Sequence, residues 1–340
     1  MTQTSFLQSS STDLTRIIMY HEKIEALFPK IFLQARHAIP NIMIRMHEAP
    51  GSYLDRRFFL PLAVAARYFW TRQVALLGDD PLSHPHINDA LNLWKESAEH
   101  LAIWIRPGQL KNHAQVLKSC ANEIVYLLGP YDASSEQWDN DAIMLKKEIA
   151  QLKKDSPRLT VRAQIYFSAL ALSILPKIAQ CAQEAQLEKL EFFPPPLHDS
   201  KNNKNNSKLN TLLLTDEQIK KFEENFWEIM DEKYFQSCLF DLDMTRRQLE
   251  RIINFFKAAN GSGNFEPPHC RAPRTALFIE PNGDVRCCPY QTVCGSLWVY
   301  PLRSIEESST THEFRTKINL YTEKKCLTCP GNYPHLLWRA

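Results

Sequence analysis

Six short apolar runs separated by helical patterns limit what this chain can fold into. The runs are NIMIRMH (41–47), QVALL (73–77), LAIWI (101–105), NEIVYLL (122–128), LTVRAQIYF (159–167) and LEKLEFF (187–193). Helical spacing lies between them, near 58–70, 86–99, 110–119, 139–154 and 171–186. In the fourth of these, Leu145, Ile149 and Leu152 fall on one face. Repeated strand–helix units predict parallel strands joined by crossover helices. Six units predict an α/β fold built on a partial (β/α)6 TIM-like barrel. A doubly wound sheet has the same periodicity and stays open as the alternative.

The flanking segments set the predicted domain limits. Residues 13–37 read as an amphipathic helix, with Ile17, Ile18, Ile24, Leu27 and Ile31 near one stripe. The stretch PPPLHDSKNNKNNSKLN (194–210) is rich in Pro, Asn and Lys and reads as a surface loop. A helix then opens at Thr215-Asp216-Glu217-Gln218, which has capping-box spacing. A further helix covers 243–258, and ANGSGN (259–264) ends it at a domain boundary. Three parts follow: an N-terminal helical segment (1–38), a barrel (39–264) and a small cysteine-rich domain (265–340). The chain has only 9 glycines in 340 residues, so each is expected to meet a backbone requirement. Gly78, Gly108, Gly129 and Gly283 all join strand-like runs.

Charge excludes some partners. Lys and Arg total 40 against 38 Asp and Glu, a net charge of +2, which gives no strong pull toward nucleic acid or membrane. The Lys/Asn run at 201–208 lacks interleaved aromatics. The N-terminus has no basic start followed by an apolar run, and no apolar stretch is long enough to cross a bilayer. A cytoplasmic location is the expectation.

The cysteines carry the chemistry. None of the 9 lies in residues 1–119; Cys120, Cys181 and Cys238 are scattered. Cys270, Cys287, Cys288, Cys294, Cys326 and Cys329 fall within the last 71 residues. TALFIEPNGDVRCC (275–288) predicts a β-hairpin turning at Pro281-Asn282-Gly283. Cys270 precedes its first strand, and Cys287 and Cys288 end its second. Neighbours on a strand face opposite ways, so only one of that pair can share a metal with Cys270. Cys326 and Cys329 form a C-x-x-C followed by Pro330 and Gly331. Three separate pieces thus supply four thiolates, which suit zinc or an iron–sulfur cluster.

This region resembles the SPASM or "twitch" extension of radical S-adenosylmethionine (SAM) enzymes. That motif begins with Cys, 9 to 15 residues, Gly, 4 residues, Cys. Here Cys270 is followed by 12 residues, Gly283, 4 residues and Cys288. FIEPNGDVRCCP is similar to the family hairpin, and Cys326 and Cys329 match the closing C-x-x-C. The resemblance implies Cys270, Cys288, Cys326 and Cys329 as ligands of one auxiliary [4Fe–4S] cluster, because no cysteine follows Cys329. Cys294 fits no motif position and reads as structural.

The barrel resembles the same family more weakly. LGDDPLSHP (77–85) looks like the Gly-Gly-Glu-Pro segment that receives the amino group of SAM. Gly78, Asp79, Asp80 and Pro81 would be its vestige. WIRPGQL (104–110) stands where the family has a Thr-Asn-Gly turn. The departure lies after the first strand. The defining Cys-x-x-x-Cys-x-x-Cys belongs there, and HEAPGSYLDRR (47–57) has no cysteine. Asp79 also replaces the second glycine. Loss of reductive SAM cleavage is therefore expected, with SAM binding itself left open.

The implied function is that of a degenerate radical SAM-like protein. It would act as a partner, scaffold or electron-transfer protein in peptide or protein modification, with a peptide or protein substrate or a complete radical SAM enzyme as its partner. Two alternatives stand: an enzyme using a changed barrel-mouth site around His47, Glu48, Asp79 and Asp80, and a zinc-stabilised interaction protein.

Overall fold

In the computed structural model each apolar run forms a strand. The structure describes residues 38–48, 51–110, 113–129, 135–154, 158–195, 212–231, 242–268 and 270–329. The strands are β1 (Asn41–Glu48), a short β2 (Ser52–Tyr53), β3 (Gln73–Gly78), β4 (His100–Ile105), β5 (Glu123–Leu128), β6 (Thr160–Tyr166) and β7 (Lys189–Phe193). Between them run α1 (Phe59–Tyr68), α2 (Ile87–Lys95), α3 (Ala114–Cys120), α4 (Ser135–Lys153), α5 (Ala169–Ser173) and α6 (Leu175–Glu184). Two longer helices follow, α7 (Asp216–Asp231) and α8 (Leu242–Ala259). The helix expected over 13–37, most of the 194–210 loop and Cys238 lie outside the described residues.

The parallel strands follow one another in the order β1-β3-β4-β5-β6-β7. From β1 to β7 that order never reverses, whereas a doubly wound sheet needs a reversal at its switch point within such a run. The doubly wound alternative is therefore excluded, and the α/β fold with a partial-barrel strand order is what forms. The cysteine-rich region joins the same sheet. Its strands are β8 (Ala276–Ile279), β9 (Asp284–Arg286) and β10 (Gly295–Ser296). β8 pairs in parallel with β1, from Asn41 opposite Ala276 to Ile44 opposite Ile279. β9 and β10 continue outward as antiparallel strands.

Alternation along each strand makes two different faces. One face (Ile42, Ile44, Val74, Leu76, Ile103, Ile124, Tyr126) packs on the helices. The apolar edges of those helices supply Phe59, Leu62, Leu91, Trp94, Leu117, Leu145, Ile149 and Ile178. The other face carries small or flat residues at its centre, Met43, Ala75, Ala102, Trp104, Val125 and Phe278. Toward the start of the strands this inner face turns ionic. Arg162 donates from Nε to Glu123 Oε1 at 2.6 Å and from Nη1 to Glu191 Oε2 at 2.5 Å. Gln164 bonds Glu191 at 3.0 Å and receives Trp104 Nε1 at 3.1 Å. His100 closes on Glu123 at 3.3 Å.

Local signals in the sequence are realised. Gln218 N donates to Thr215 Oγ1 at 3.2 Å while Thr215 N donates to Gln218 Oε1 at 2.9 Å, a reciprocal capping box. Gly78 has φ +139°, where β1 and β3 meet at a register shift. A Cβ there would sit 2.5 Å from the His47 carbonyl oxygen. Gly78→Ala is expected to destabilise the protein by about 2–4 kcal/mol through backbone strain plus overpacking, read as a lowered urea midpoint. Among the described residues no helix is long and apolar enough to cross a membrane.

Candidate metal centre

The hairpin turn shows how the sequence aims its cysteines. Gly283 adopts φ +84°, and its N–H donates to Glu280 O at 2.9 Å. Asn282 Oδ1 accepts from Asp284 N at 3.0 Å. Trp298 Nε1 donates to Asn282 O at 2.8 Å, and Arg57 lies over the Trp298 ring at 4.8 Å. This pins the tip of the hairpin to the start of α1. The strands then return toward the N-terminal end of β1.

At that end Cys287 and Cys288 face opposite ways. Cys287 is fully buried and its Sγ lies 3.6 Å from Cys294 Sγ. The Cys287 thiol donating to Cys294 pushes the Cys287 pKa up and holds that of Cys294 down. Arg315, paired with the buried Glu306, sits beside both. Cys288 is half-buried on the other side. Burial pushes its thiol up to about 11, and Cys270 adds to the rise.

Cys270 lies just before the one-turn helix Ala272–Thr275, and its Sγ accepts from Ala272 N at 3.4 Å. Its thiol is also pushed up to about 11, by burial and then by Cys326. Cys326 stands in a second one-turn helix, Lys324–Leu327. Burial raises it to about 11, with Cys288 adding repulsion. The three thiols thus act on one another in a ring. Cys329 N donates to Cys326 O at 3.3 Å, which closes the C-x-x-C turn. Lys325 Nζ donates to Tyr290 O at 3.2 Å and ties that turn to the segment after Cys288.

Three buried or half-buried thiols that repel one another as thiolates fit a positively charged centre, which lowers thiol pKa values on binding. Among the described residues no three Cys, His, Asp or Glu side chains are arranged to hold a single metal ion.

The segment Gly78–Pro81, which the resemblance singles out, is at the other end of the strands. Asn41 is opposite Ala276, near Cys270, while His47 is opposite Gly78. Six residues of β1 separate those positions, about 20 Å at ~3.3 Å per residue. Gly78, Asp79, Asp80 and Pro81 line this mouth. Gln109 Nε2 donates to Asp79 O at 2.5 Å, which joins the two segments that the resemblance singles out. Asp79 N donates to His47 O at 3.3 Å. Asp80 O accepts from Ser83 N and Ser83 Oγ at 3.1 and 2.7 Å. These carbonyls are already satisfied by the chain's own donors. No cysteine among the described residues stands in the stretch after β1, His47–Glu48 and Gly51–Arg57.

His84 is no ligand either. Its Nε2 bonds Leu54 O at 2.8 Å and its Nδ1 accepts from His86 N at 3.0 Å. His47 stacks on Tyr53 at 4.7 Å, with its Nδ1 buried and unpartnered. Sequence reading missed the Cys287–Cys294 contact and the Arg162 network. Their signals were the seven-residue cysteine spacing and the polar residues inside LTVRAQIYF and LEKLEFF.

Comparison with known proteins agrees with this geometry. Residues 270–330 match SPASM, an iron-sulfur cluster-binding domain. The C-terminal part is thus a SPASM domain, and the resemblance to radical SAM proteins that carry one holds. The fold around it is shared with SuiB of Streptococcus suis. SuiB bound to S-adenosylmethionine superposes with a TM-score of 0.54 at 12% identity, over 92% of this chain and 78% of SuiB. SuiB bound to the precursor peptide SuiA gives 0.54 at 14% identity, over 94% and 75%. At such identity the likeness is one of fold. No curated protein matches the chain by sequence.

Proposed function

We propose that this chain is a cytoplasmic, radical SAM-like protein holding one auxiliary [4Fe–4S] cluster on Cys270, Cys288, Cys326 and Cys329. In this reading it does not cleave SAM, and it serves as a partner or scaffold in peptide modification, alongside a complete radical SAM enzyme. One observation carries the reading. The thiols of Cys270, Cys288 and Cys326, from three separate pieces of chain, raise one another's pKa values, while among the described residues the mouth around Gly78 carries no cysteine and its carbonyls are internally bonded. When bound, the cluster would supply an electron relay or a structural anchor. The chain's own residues position it: the hairpin aims Cys288, the Ala272–Thr275 turn holds Cys270, and Lys325 docks the C-x-x-C. The peptide partner is supported by the shared fold with SuiB, seen with a precursor peptide.

Purification without oxygen tests this directly. About four irons and four sulfides per chain are expected from a single cubane. Titration calorimetry with SAM is expected to give no heat. One equivalent of zinc without iron would point to the zinc-stabilised alternative instead.

The unpartnered Nδ1 of His47 favours a second reading, an enzyme with a changed site at the mouth. If His47, Glu48, Asp79 and Asp80 were all replaced by Ala and biological activity persisted, that reading would fail.

A further inference from the structure

We propose that a cleft beside Cys270 docks an acidic peptide segment. This deepens the peptide-partner reading above and rests on it. The cleft holds about 410 Å³ and lies between the turn carrying Cys270 and residues 316–321. Three cations line it, Arg271, Arg274 and Lys317, and no lining residue is acidic. Across the whole chain cations and anions nearly balance, 40 to 38, so this excess is local.

The two arginines are available. Both are exposed, and no carboxylate among the described residues pairs with either. A guanidinium presents a planar fork that grips a carboxylate with two parallel hydrogen bonds. Lys317 is partly engaged, since Glu313 one helical turn back pairs with it. Beside the charges the lining includes the apolar Pro273, Ile318 and Leu320 and the polar Thr316 and Asn319. Acidic side chains alternating with aliphatic ones complement that surface. The volume is in the range of pockets that enclose a small ligand, so it suits a few peptide side chains rather than a folded domain. A single-stranded nucleic acid is the poorer fit. Such strands stack successive bases on several aromatics, and Tyr321 is the one aromatic in the lining.

The test uses the full chain purified without oxygen. The probe is a fluorescein-labelled peptide of alternating glutamate and leucine, read by anisotropy. A matched lysine–leucine peptide and a single-stranded oligonucleotide are the controls. The glutamate peptide is expected to bind, and more weakly as salt rises. Because Arg271 adjoins Cys270, Arg274→Glu is the main variant and Lys317→Glu the second. Arg274→Glu is expected to weaken binding at least about tenfold, from the loss of a charge-assisted pair. Binding unchanged in both variants, or an oligonucleotide bound as tightly as the peptide, would overturn the proposal. Iron is measured on the same samples. Iron present without peptide binding sinks the cleft alone; peptide binding without iron sinks the cluster reading alone.

Discussion

Cys288→Ser is expected to strip the protein of iron, while Cys287→Ser, one residue away, leaves it loaded. The contrast follows from the alternation of side chains at the end of β9. Cys288 turns toward Cys270 and Cys326, whose thiols raise one another's pKa values. Cys287 turns into the helix-facing core against Cys294, at 3.6 Å. A serine at position 288 replaces a soft thiolate with a hydroxyl that stays protonated, and a site that selects for sulfur loses a donor. Removing even an outer-shell partner lowers metal affinity by about 10–100-fold, so loss of a ligand is expected to exceed that. Cys270→Ser, Cys326→Ser and Cys329→Ser should behave like Cys288→Ser. Cys287→Ser and Cys294→Ser instead bury a hydroxyl in place of a thiol, a stability loss of about 1–3 kcal/mol. Iron and sulfide per chain, beside a urea melt, separate the two effects. Iron lost from Cys287→Ser and kept in Cys288→Ser would reverse the assignment.

The same hairpin shows what a sequence can and cannot reveal. Its turn was legible because Asn282-Gly283 needs a positive φ that glycine supplies. The six strands were legible because each run is bounded by helical spacing, and the helix at Thr215 because its cap is written in adjacent residues. The pairing of β8 with β1 was not legible. It joins residues 235 positions apart, as the Arg45–Glu280 ion pair at 3.0 Å also does, and no local pattern encodes such a choice. Cys288 was preferred over Cys287 by family spacing, and side-chain alternation alone left the pair undecided. The packing of Cys287 on Cys294 supplies the missing physical reason. The inner face of the sheet was the larger gap. Arg162, Gln164 and Glu191 sit inside runs that read as plain strands, and charge inside a strand does not announce its partner.

That inner face carries the largest expected effect on stability. Arg162→Met is expected to destabilise the fold by about 3–5 kcal/mol, because it removes the main counterion of two carboxylates and leaves Glu191 only Lys189, at 3.5 Å, and Glu123 only His100. Glu191 is fully buried, and Glu123 is nearly so. Arg162 also covers the Trp104 ring at 5.7 Å, so methionine keeps the apolar contact and isolates the charge. The pH dependence gives a second readout. Burial by itself pushes the Glu123 carboxyl up, but the hydrogen bond from His100 and the charge and hydrogen bonds of Arg162 outweigh it and hold it below the usual range. A depressed carboxyl contributes stability above its unfolded value, and that contribution fades as pH falls through the folded one. In Arg162→Met burial is opposed only by His100, so Glu123 rises and favours its protonated form. The stability gap between wild type and variant should then be widest near neutral pH and narrower at about pH 5. Urea denaturation at the two pH values measures it. Adding Glu123→Gln and Glu191→Gln to Arg162→Met should recover much of the loss, since neutral amides need no counterion. A gap independent of pH, with no recovery in the triple variant, would mean that the arginine acts by packing and that its charge is dispensable.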